Sequence, residues 1–120
     1  MLTLKQHFRQ DTKVLELSGR VDSHSKVGLE VAILGAKESG CHHIIVNFSN
    51  LTWIDSVGLG QIFLWYHGMK SEGIRLSIVC SQALVRELLE LTSQPEGISF
   101  YRSEEEAVVA MGASIQSSAS

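Results

Sequence analysis

The chain has 120 residues, of which 44% are hydrophobic and 19% charged, and its formal net charge at pH 7 is −3. This length is that of one domain, and the apolar content excludes disorder over most of it. Ten Lys and Arg against thirteen Asp and Glu supply no obvious basic face, so we expect no direct binding to nucleic acid. No apolar run approaches the ~18–20 residues of a membrane helix and no signal core begins the chain, which predicts a cytoplasmic protein without membrane insertion.

The first residues predict a β-hairpin. Residues 2–9 alternate loosely between apolar and polar side chains, and residues 13–18 read as a more buried strand. Gln10 and Asp11 form a short polar connection between them. We expect the second strand to end at Gly19.

A helix is expected to follow at about residues 24–38. Asp22 and Ser23 are good N-cap residues, and Gly40 suits the position after a helix end. Apolar residues recur inside this segment at helical spacing, namely at Val27, Val31 and Leu34.

The best candidate for a central strand is residues 43–48, because three consecutive β-branched residues favour a strand that is buried on both faces. The polar residues 49–53 predict a loop that contains Trp53. Asp55 and Ser56 are then placed to cap a second helix, which Gly73 closes.

The rest of the chain continues the alternation of strands and helices. Residues 74–80 predict a strand, a helix begins at Ser81 and stops before Pro95, and residues 98–101 predict a short strand. Ser103 is expected to cap a last helix, whose first turn carries three glutamates that we interpret as solvated.

The predicted order is β-β-α-β-α-β-α-β-α, an α/β fold with a mixed, mostly parallel sheet and helices packed mainly on one face. We expect a single domain over residues 1–112 and a flexible tail over residues 113–120, which are small and polar. Cys41 and Cys80 fall at opposite ends of neighbouring parallel strands, about 20 Å apart, too far for a disulfide. The five histidines are scattered, so we predict reduced thiols, no metal and no cofactor.

The segment from Phe48 to Gly60 is the most informative, because it follows the central strand and opens a helix, where α/β proteins gather their function. Gly58 and Gly60 each cost a helix roughly 0.5–1 kcal/mol relative to alanine. Close packing against the sheet would offset that cost, and so would the close approach of another protein's backbone. The segment matches neither a phosphate-binding loop nor the GxSxG nucleophile motif.

Residues 42–110 resemble the STAS domain family, and within it the small free-standing bacterial anti-sigma factor antagonists. The matching segments are IIVNFSNL, WIDSVGLGQIFLWYHGMKSEG, IRLSIVC, SQALVRELLELT and SEEEAVVAM, with a weaker N-terminal match through VLELSGRVDSHS. Together they cover nearly the whole chain, and their DS-x-GLG core is fairly specific in this order of elements. The resemblance implies a single STAS-like domain.

The resemblance also implies a phospho-switch. The serine after the aspartate, here Ser56 next to Asp55, is phosphorylated in this family by an anti-sigma factor that is a serine kinase. The unphosphorylated form binds that kinase, and a PP2C-type phosphatase reverses the modification. A second Ser or Thr often follows in the family, whereas this chain has Val57.

The expected partner-binding surface surrounds Ser56. Its members come from the loop before the first predicted helix and from the segment that opens the second helix, namely Asp22, Ser23, Trp53, Asp55, Val57, Gly58, Leu59 and Gly60. Two other functions stay open. A STAS scaffold or accessory subunit of a stress-signalling or lipid-transport complex uses the same fold without sigma control. A small enzyme is disfavoured by the absence of a phosphate loop, a metal constellation and a Ser–His pairing.

Overall fold

The computed structural model describes residues 2–80 and 99–110, with the backbone alone described at residues 23, 26, 56 and 59. A single five-stranded sheet, in the order β1-β2-β3-β4-β5, runs through the described residues. The elements are β1 (Leu2–Arg9), β2 (Thr12–Val21), a 3-10 turn (Ser23–Ser25), α1 (Lys26–Glu38), β3 (His43–Ile54), α2 (Ser56–Ser71), β4 (Arg75–Val79), β5 (Ser99–Tyr101) and α3 (residues 104–110).

The strands pair as the sequence predicts. β1 and β2 form an antiparallel hairpin, in which Arg9 lies opposite Thr12 and Gln10 adopts a positive φ of 56° in the two-residue turn. β2, β3, β4 and β5 run parallel to one another. The mixed, mostly parallel sheet is therefore confirmed.

The sheet is covered on both faces, but unequally. α1 and α2 bury the larger core against one face, where Leu15, Ile44 and Phe48 have almost no exposed surface. On the opposite face, α3 packs Ala107 against a smaller cluster that includes Ile45. Successive residues of a strand point to opposite faces, which is why neighbours such as Ile44 and Ile45 belong to different clusters. Two of the three helices that the structure describes lie on one face, as predicted.

Two predicted strand ends are wrong. β2 does not end at Gly19 but continues to Val21, and β3 continues through residues 49–53, which we expected to form a loop. The two strands stay paired because the register shifts at irregularities, one of them next to Gly19, whose φ is 95°. Leu51 and Ile54 are buried in this extension, whereas Thr52 and Trp53 between them are exposed strand residues.

Helix α1 differs from the prediction in its start and in its buried face. It begins at Lys26 with Ser25 as the N-cap, so neither Asp22 nor Ser23 caps it. The predicted apolar residues lie on one side, but that side faces outward. The buried face consists of other residues at the same spacing, namely Leu29, Ala32, Ile33 and Ala36, while Val27, Val31 and Leu34 are exposed.

The first turn of α3 is tied to the sheet. Ser103 caps it as predicted, since its Oγ accepts a hydrogen bond from the Glu106 N–H at 3.1 Å. The expectation that all three glutamates are solvated is wrong for Glu104, because that carboxylate accepts a hydrogen bond from Asn47 Nδ2 at 2.6 Å. Glu104 Oε1 also lies 3.0 Å from His7 Nε2. Glu104 thus links α3 to the central and edge strands.

His7, Glu16 and Glu104 place possible metal-ligand atoms within 4.8 Å of one another. The contacts favour an ion-pair network instead. His7 Nδ1 lies 3.5 Å from Glu16, its Nε2 faces Glu104, and Arg9 lies 3.7 Å from Glu104. Both ring nitrogens of the histidine therefore face carboxylates, and these side chains join β1, β2 and α3.

Both cysteines are buried and neither forms a disulfide. The helix predicted from Ser81 to Pro95 and the tail at residues 113–120 lie outside the described residues. The division into a domain over residues 1–112 and a flexible tail therefore stays a prediction.

His43, at the start of β3, makes the stability of the fold depend on pH. Its side chain is 8% exposed, and its Nε2 has no hydrogen-bond partner among the described residues. Burial, with a smaller contribution from the charge of Arg75, lowers the pKa of His43 from 6.5 to about 4. Between these values the unfolded chain binds a proton at this site that the folded chain does not bind.

We therefore expect the contribution of His43 to stability to be complete above pH 6.5 and to be lost as the pH falls toward 4. The loss amounts to about 3 kcal/mol by pH 4, from about 1.4 kcal/mol per pKa unit. Urea unfolding of the wild type and of His43→Leu at several pH values measures it. The variant should show a flatter dependence over this range, and equal slopes would contradict the assignment.

Candidate partner-binding site

Two aspartates meet where β2 and β3 end. Val21 and Ile54, the last residues of these strands, are partners in the parallel register. Asp22 and Asp55 follow them directly, and the Asp55 N–H donates a hydrogen bond to the Val21 carbonyl at 3.2 Å. Parallel pairing thus brings two acidic residues, 33 positions apart in the sequence, to one edge of the sheet.

Asp55 is the N-cap of α2, as the sequence predicts. Its backbone is extended, and its Oδ1 accepts a hydrogen bond from the Gly58 N–H at 2.8 Å. Ser56 does not share the capping role but is the first residue of the helix. Ser56 therefore begins the turn in which the free backbone N–H groups and the positive end of the helix dipole lie.

The two glycines of the motif, Gly58 and Gly60, differ in how closely the rest of the fold packs around them. A Cβ at Gly58 would lie 2.7 Å from Val21 Cγ1 and 3.3 Å from the Val21 carbonyl oxygen, so close packing of α2 against β2 requires a glycine there. A Cβ at Gly60 would meet nothing within 4 Å. Packing therefore explains Gly58 but not Gly60, where the approach of a partner's backbone stays a prediction.

Asp22 organises the turn that precedes α1. Its Oδ1 accepts a hydrogen bond from the His24 N–H at 2.9 Å, and its own N–H donates to Ser25 Oγ at 3.3 Å. The His24 N–H hydrogen bond, assisted by the charges of His24 and Arg20, holds the pKa of Asp22 below its ordinary value. Asp22 is therefore ionised at neutral pH. Its side chain caps the 3-10 turn, of which Ser23 is the first residue.

Exposed apolar side chains lie beside these acids. Trp53 is exposed, but it lies near the end of β3 rather than in a loop, and Val57 is exposed on the first turn of α2. Arg20 is the register partner of Trp53 on the neighbouring strand. Its guanidinium lies 5.5 Å from the centre of the indole ring, within the range of a cation–π contact. Leu59 belongs to the same end of α2.

Arg20 and His24 are two members of this surface that the sequence did not indicate. Arg20 Nε lies 3.9 Å and His24 Nδ1 lies 3.6 Å from the carboxylate of Asp22. Both residues lie inside the weaker N-terminal match VLELSGRVDSHS, but nothing in that segment marks them as site residues. The position of Arg20 beside Trp53 depends on the pairing of β2 with β3. The surface therefore combines two carboxylates, two basic groups and an exposed indole around the start of α2.

Of the helices in the described residues, none has the length and apolar character needed to cross a membrane.

Comparisons with known proteins agree with this architecture. The family model of the STAS domain matches residues 4–107. An anti-sigma F factor antagonist from Paenibacillus polymyxa is 24% identical over 111 residues, which are 89% of this chain and 92% of that relative. The chain belongs to the STAS domain family, and the resemblance seen in its sequence is confirmed.

Solved structures support the same fold. An anti-sigma factor antagonist from Mycobacterium paratuberculosis superimposes with a TM-score of 0.82 at 21% identity, over 92% of this chain and 93% of that one. The Bacillus cell fate determinant SpoIIAA in its phosphorylated form gives a TM-score of 0.68 at 22% identity, over 92% of this chain and 99% of that one.

Proposed function

We propose that this chain is an anti-sigma factor antagonist. In its unphosphorylated form it binds an anti-sigma factor that is also a serine kinase, phosphorylation of Ser56 by that kinase releases it, and a PP2C-type phosphatase restores binding. The observation that carries this proposal is the place of Ser56 at the start of α2, directly after the Asp55 cap and at the edge where Asp22 also lies. The named relatives support the general role.

The unphosphorylated surface is suited to binding a protein. Trp53 and Val57 are exposed apolar side chains beside polar and charged groups, a combination typical of a contact centre with a polar rim. Asp22 and Asp55 are held by hydrogen bonds within the chain, so they are ordered before a partner arrives. A preorganised surface loses less side-chain entropy on binding.

Phosphate at Ser56 would change the charge of this surface without requiring the fold to change. A phosphoserine carries about −1.5 to −2 charge at neutral pH, and the start of a helix is a favourable place for an anion. In an interface, the same dianion would be desolvated next to Asp55 and close to Asp22, so desolvation and like-charge repulsion would both oppose association. The switch we propose is therefore local.

Because residue 57 is a valine, the motif offers a single hydroxyl group, that of Ser56, as a phosphate acceptor. A hydroxyl residue often follows the serine in related proteins, but valine offers no oxygen for a phosphate. We therefore propose that Ser56 is the single phosphoacceptor of the motif, and that Val57 contacts the partner.

A paired capture experiment tests the proposal. Ser56→Ala and Ser56→Asp are immobilised separately and exposed to lysate of the source organism, and the bound proteins are identified by mass spectrometry. We expect the alanine bait to retain a protein with a serine kinase domain and the aspartate bait to lose it. Ser71→Asp, at the other end of α2, serves as the control and should retain it.

Retention of the same non-kinase proteins by all three baits would contradict the switch. It would favour instead a constitutive STAS scaffold or an accessory subunit of a stress-signalling or lipid-transport complex. Neither outcome involves catalysis by this chain, to which we assign no enzymatic activity.

A further inference from the structure

Helix α1 carries a second apolar side that nothing in the described part of the chain covers. Val27, Val31 and Leu34 are 70%, 64% and 47% exposed. Their spacing of four and three places them in one stripe along the helix, opposite the face that packs on the sheet. An ordinary surface helix is polar on its outer side, so a continuous apolar stripe indicates a contact surface.

Two glycines border the same stripe. A Cβ at Gly28 or at Gly35 would meet nothing within 4 Å, so packing inside the described structure does not require either glycine. Each is a poorer helix former than alanine. Between α1 and β1, a groove of about 530 Å³ borders the first half of the helix, with Gly28, Val31 and Leu4 in its lining. This side of α1 is open to the close approach of another helix.

The stripe is complementary to itself. At 100° per residue, Val31 lies at its centre, Val27 and Leu34 lie on one side of that centre, and Gly28 and Gly35 lie on the other. Val27 and Gly28 are near one end of the helix, and Leu34 and Gly35 are near the other.

We infer that α1 packs against α1 of a second copy of this chain, antiparallel and about a two-fold axis beside Val31. In this arrangement, Val31 meets Val31 of the second copy. Val27 meets Leu34 of the second copy on one side, and Gly28 meets its Gly35 on the other, which lets the two helix axes come close together.

The charges on the helix favour the antiparallel direction. Glu38 is exposed at the end of α1, and the His24 side chain, just before the helix, is 94% exposed. Glu38 lies near the midline of the stripe at 100° per residue, and His24 lies in the 3-10 turn that leads into the helix. Antiparallel packing brings Glu38 to the end of the second copy's α1 that carries His24 and opposes the two helix dipoles, whereas parallel packing would place Glu38 against Glu38.

The dimer we infer is weak. With 13 residues and a rise of 1.5 Å per residue, α1 is about 20 Å long. A single pair of such helices buries less than the ~1,200 Å² at the lower limit of stable interfaces. Self-association is therefore expected only at high protein concentration. It uses a different helix from the one that begins at Ser56, although Arg20, Asp22 and His24 of the partner-binding surface line the groove beside α1.

Sedimentation equilibrium of the full chain at concentrations up to about 1 mM tests for the dimer. The mean mass of the wild type should rise from 13.2 kDa toward twice that value. Val31→Glu places two like charges on the axis and should stay at the monomer mass. Leu64→Glu, which changes a 66% exposed leucine on α2, is the matched control and should behave as the wild type.

Cysteine cross-linking tests the direction of packing. Under mild oxidation, Val31→Cys should cross-link to itself, Val27→Cys alone should not, and a mixture of Val27→Cys with Leu34→Cys should. The native Cys41 and Cys80 are buried and should remain unlinked. A wild type that stays monomeric throughout, an equal effect of Leu64→Glu, or self-cross-linking of Val27→Cys as efficient as that of Val31→Cys would overturn the inference.

Discussion

Replacing Ser56 by aspartate is expected to weaken binding of the proposed kinase partner at least about 100-fold, which corresponds to about 2.7 kcal/mol. Ser56→Ala should bind within a few-fold of the unphosphorylated wild type. The difference arises because a carboxylate at the first position of α2 would be desolvated in the complex beside the existing carboxylate of Asp55.

The stability of the free protein should change in the opposite direction. A negative charge in the first turn of a helix interacts favourably with the helix dipole, by about 0.3–1 kcal/mol. Ser56→Asp should therefore melt at the same temperature as the wild type or slightly higher. Loss of binding without loss of stability distinguishes an interface effect from misfolding.

Isothermal titration calorimetry with the purified kinase, together with thermal melts of each variant, measures both quantities. Ser71→Asp adds the same charge at the last residue of α2 and should leave the affinity unchanged. If Ser56→Asp binds as tightly as Ser56→Ala, charge at this position does not control the complex. If Ser71→Asp weakens binding equally, the effect is one of net charge.

Alanine substitutions of the two motif glycines should change the stability of the fold in opposite directions. Gly58→Ala forces a Cβ within 2.7 Å of the buried, β-branched Val21, and should lower the free energy of unfolding by about 1–3 kcal/mol. Gly60→Ala meets no neighbour within 4 Å, and should raise it by about 0.5–1 kcal/mol through helix propensity.

Gly60→Ala should nevertheless weaken partner binding, by about tenfold, because we assign its open surface to the approach of another backbone. Urea unfolding and calorimetric titration of the same preparations measure the two effects. A stabilised Gly60→Ala with unchanged affinity would remove Gly60 from the partner surface. A fully stable Gly58→Ala would contradict the close packing of α2 on β2.

Local signals in the sequence predicted the most regular parts of this molecule. The β-branched run at residues 44–46 predicted the central strand, and Asp55 and Ser56 before an apolar helix predicted the N-cap and the start of α2. Both signals act over a few residues, so they do not depend on how the rest of the chain folds.

The face of α1 could not be predicted by the same reasoning. Val27, Val31 and Leu34 fit a period of 3.6 residues as well as the residues that are actually buried, such as Leu29 and Ile33. Periodicity identifies the helix, but tertiary packing decides which of two apolar stripes meets the sheet. Because Leu29 and Ile33 face the sheet, the stripe of Val27, Val31 and Leu34 stays exposed and available to a second copy.

Contacts between residues far apart in the sequence account for the other features that the sequence did not predict. The contact of Glu104 with Asn47 joins residues 57 positions apart, and the position of Arg20 over Trp53 depends on the register of β2 with β3. Neither contact leaves a local pattern. The polar residues of 49–53 likewise indicate a loop until the parallel pairing of β3 with β2 is known.

Phosphopeptide mapping of the wild-type chain, isolated from its own cells as a kinase-bound and a free fraction, tests the central claim most directly. We predict phosphate on Ser56 in the free fraction and an unmodified Ser56 in the bound fraction. Phosphate on Ser56 in both fractions at equal occupancy, or its absence from both, would contradict a switch at the start of α2.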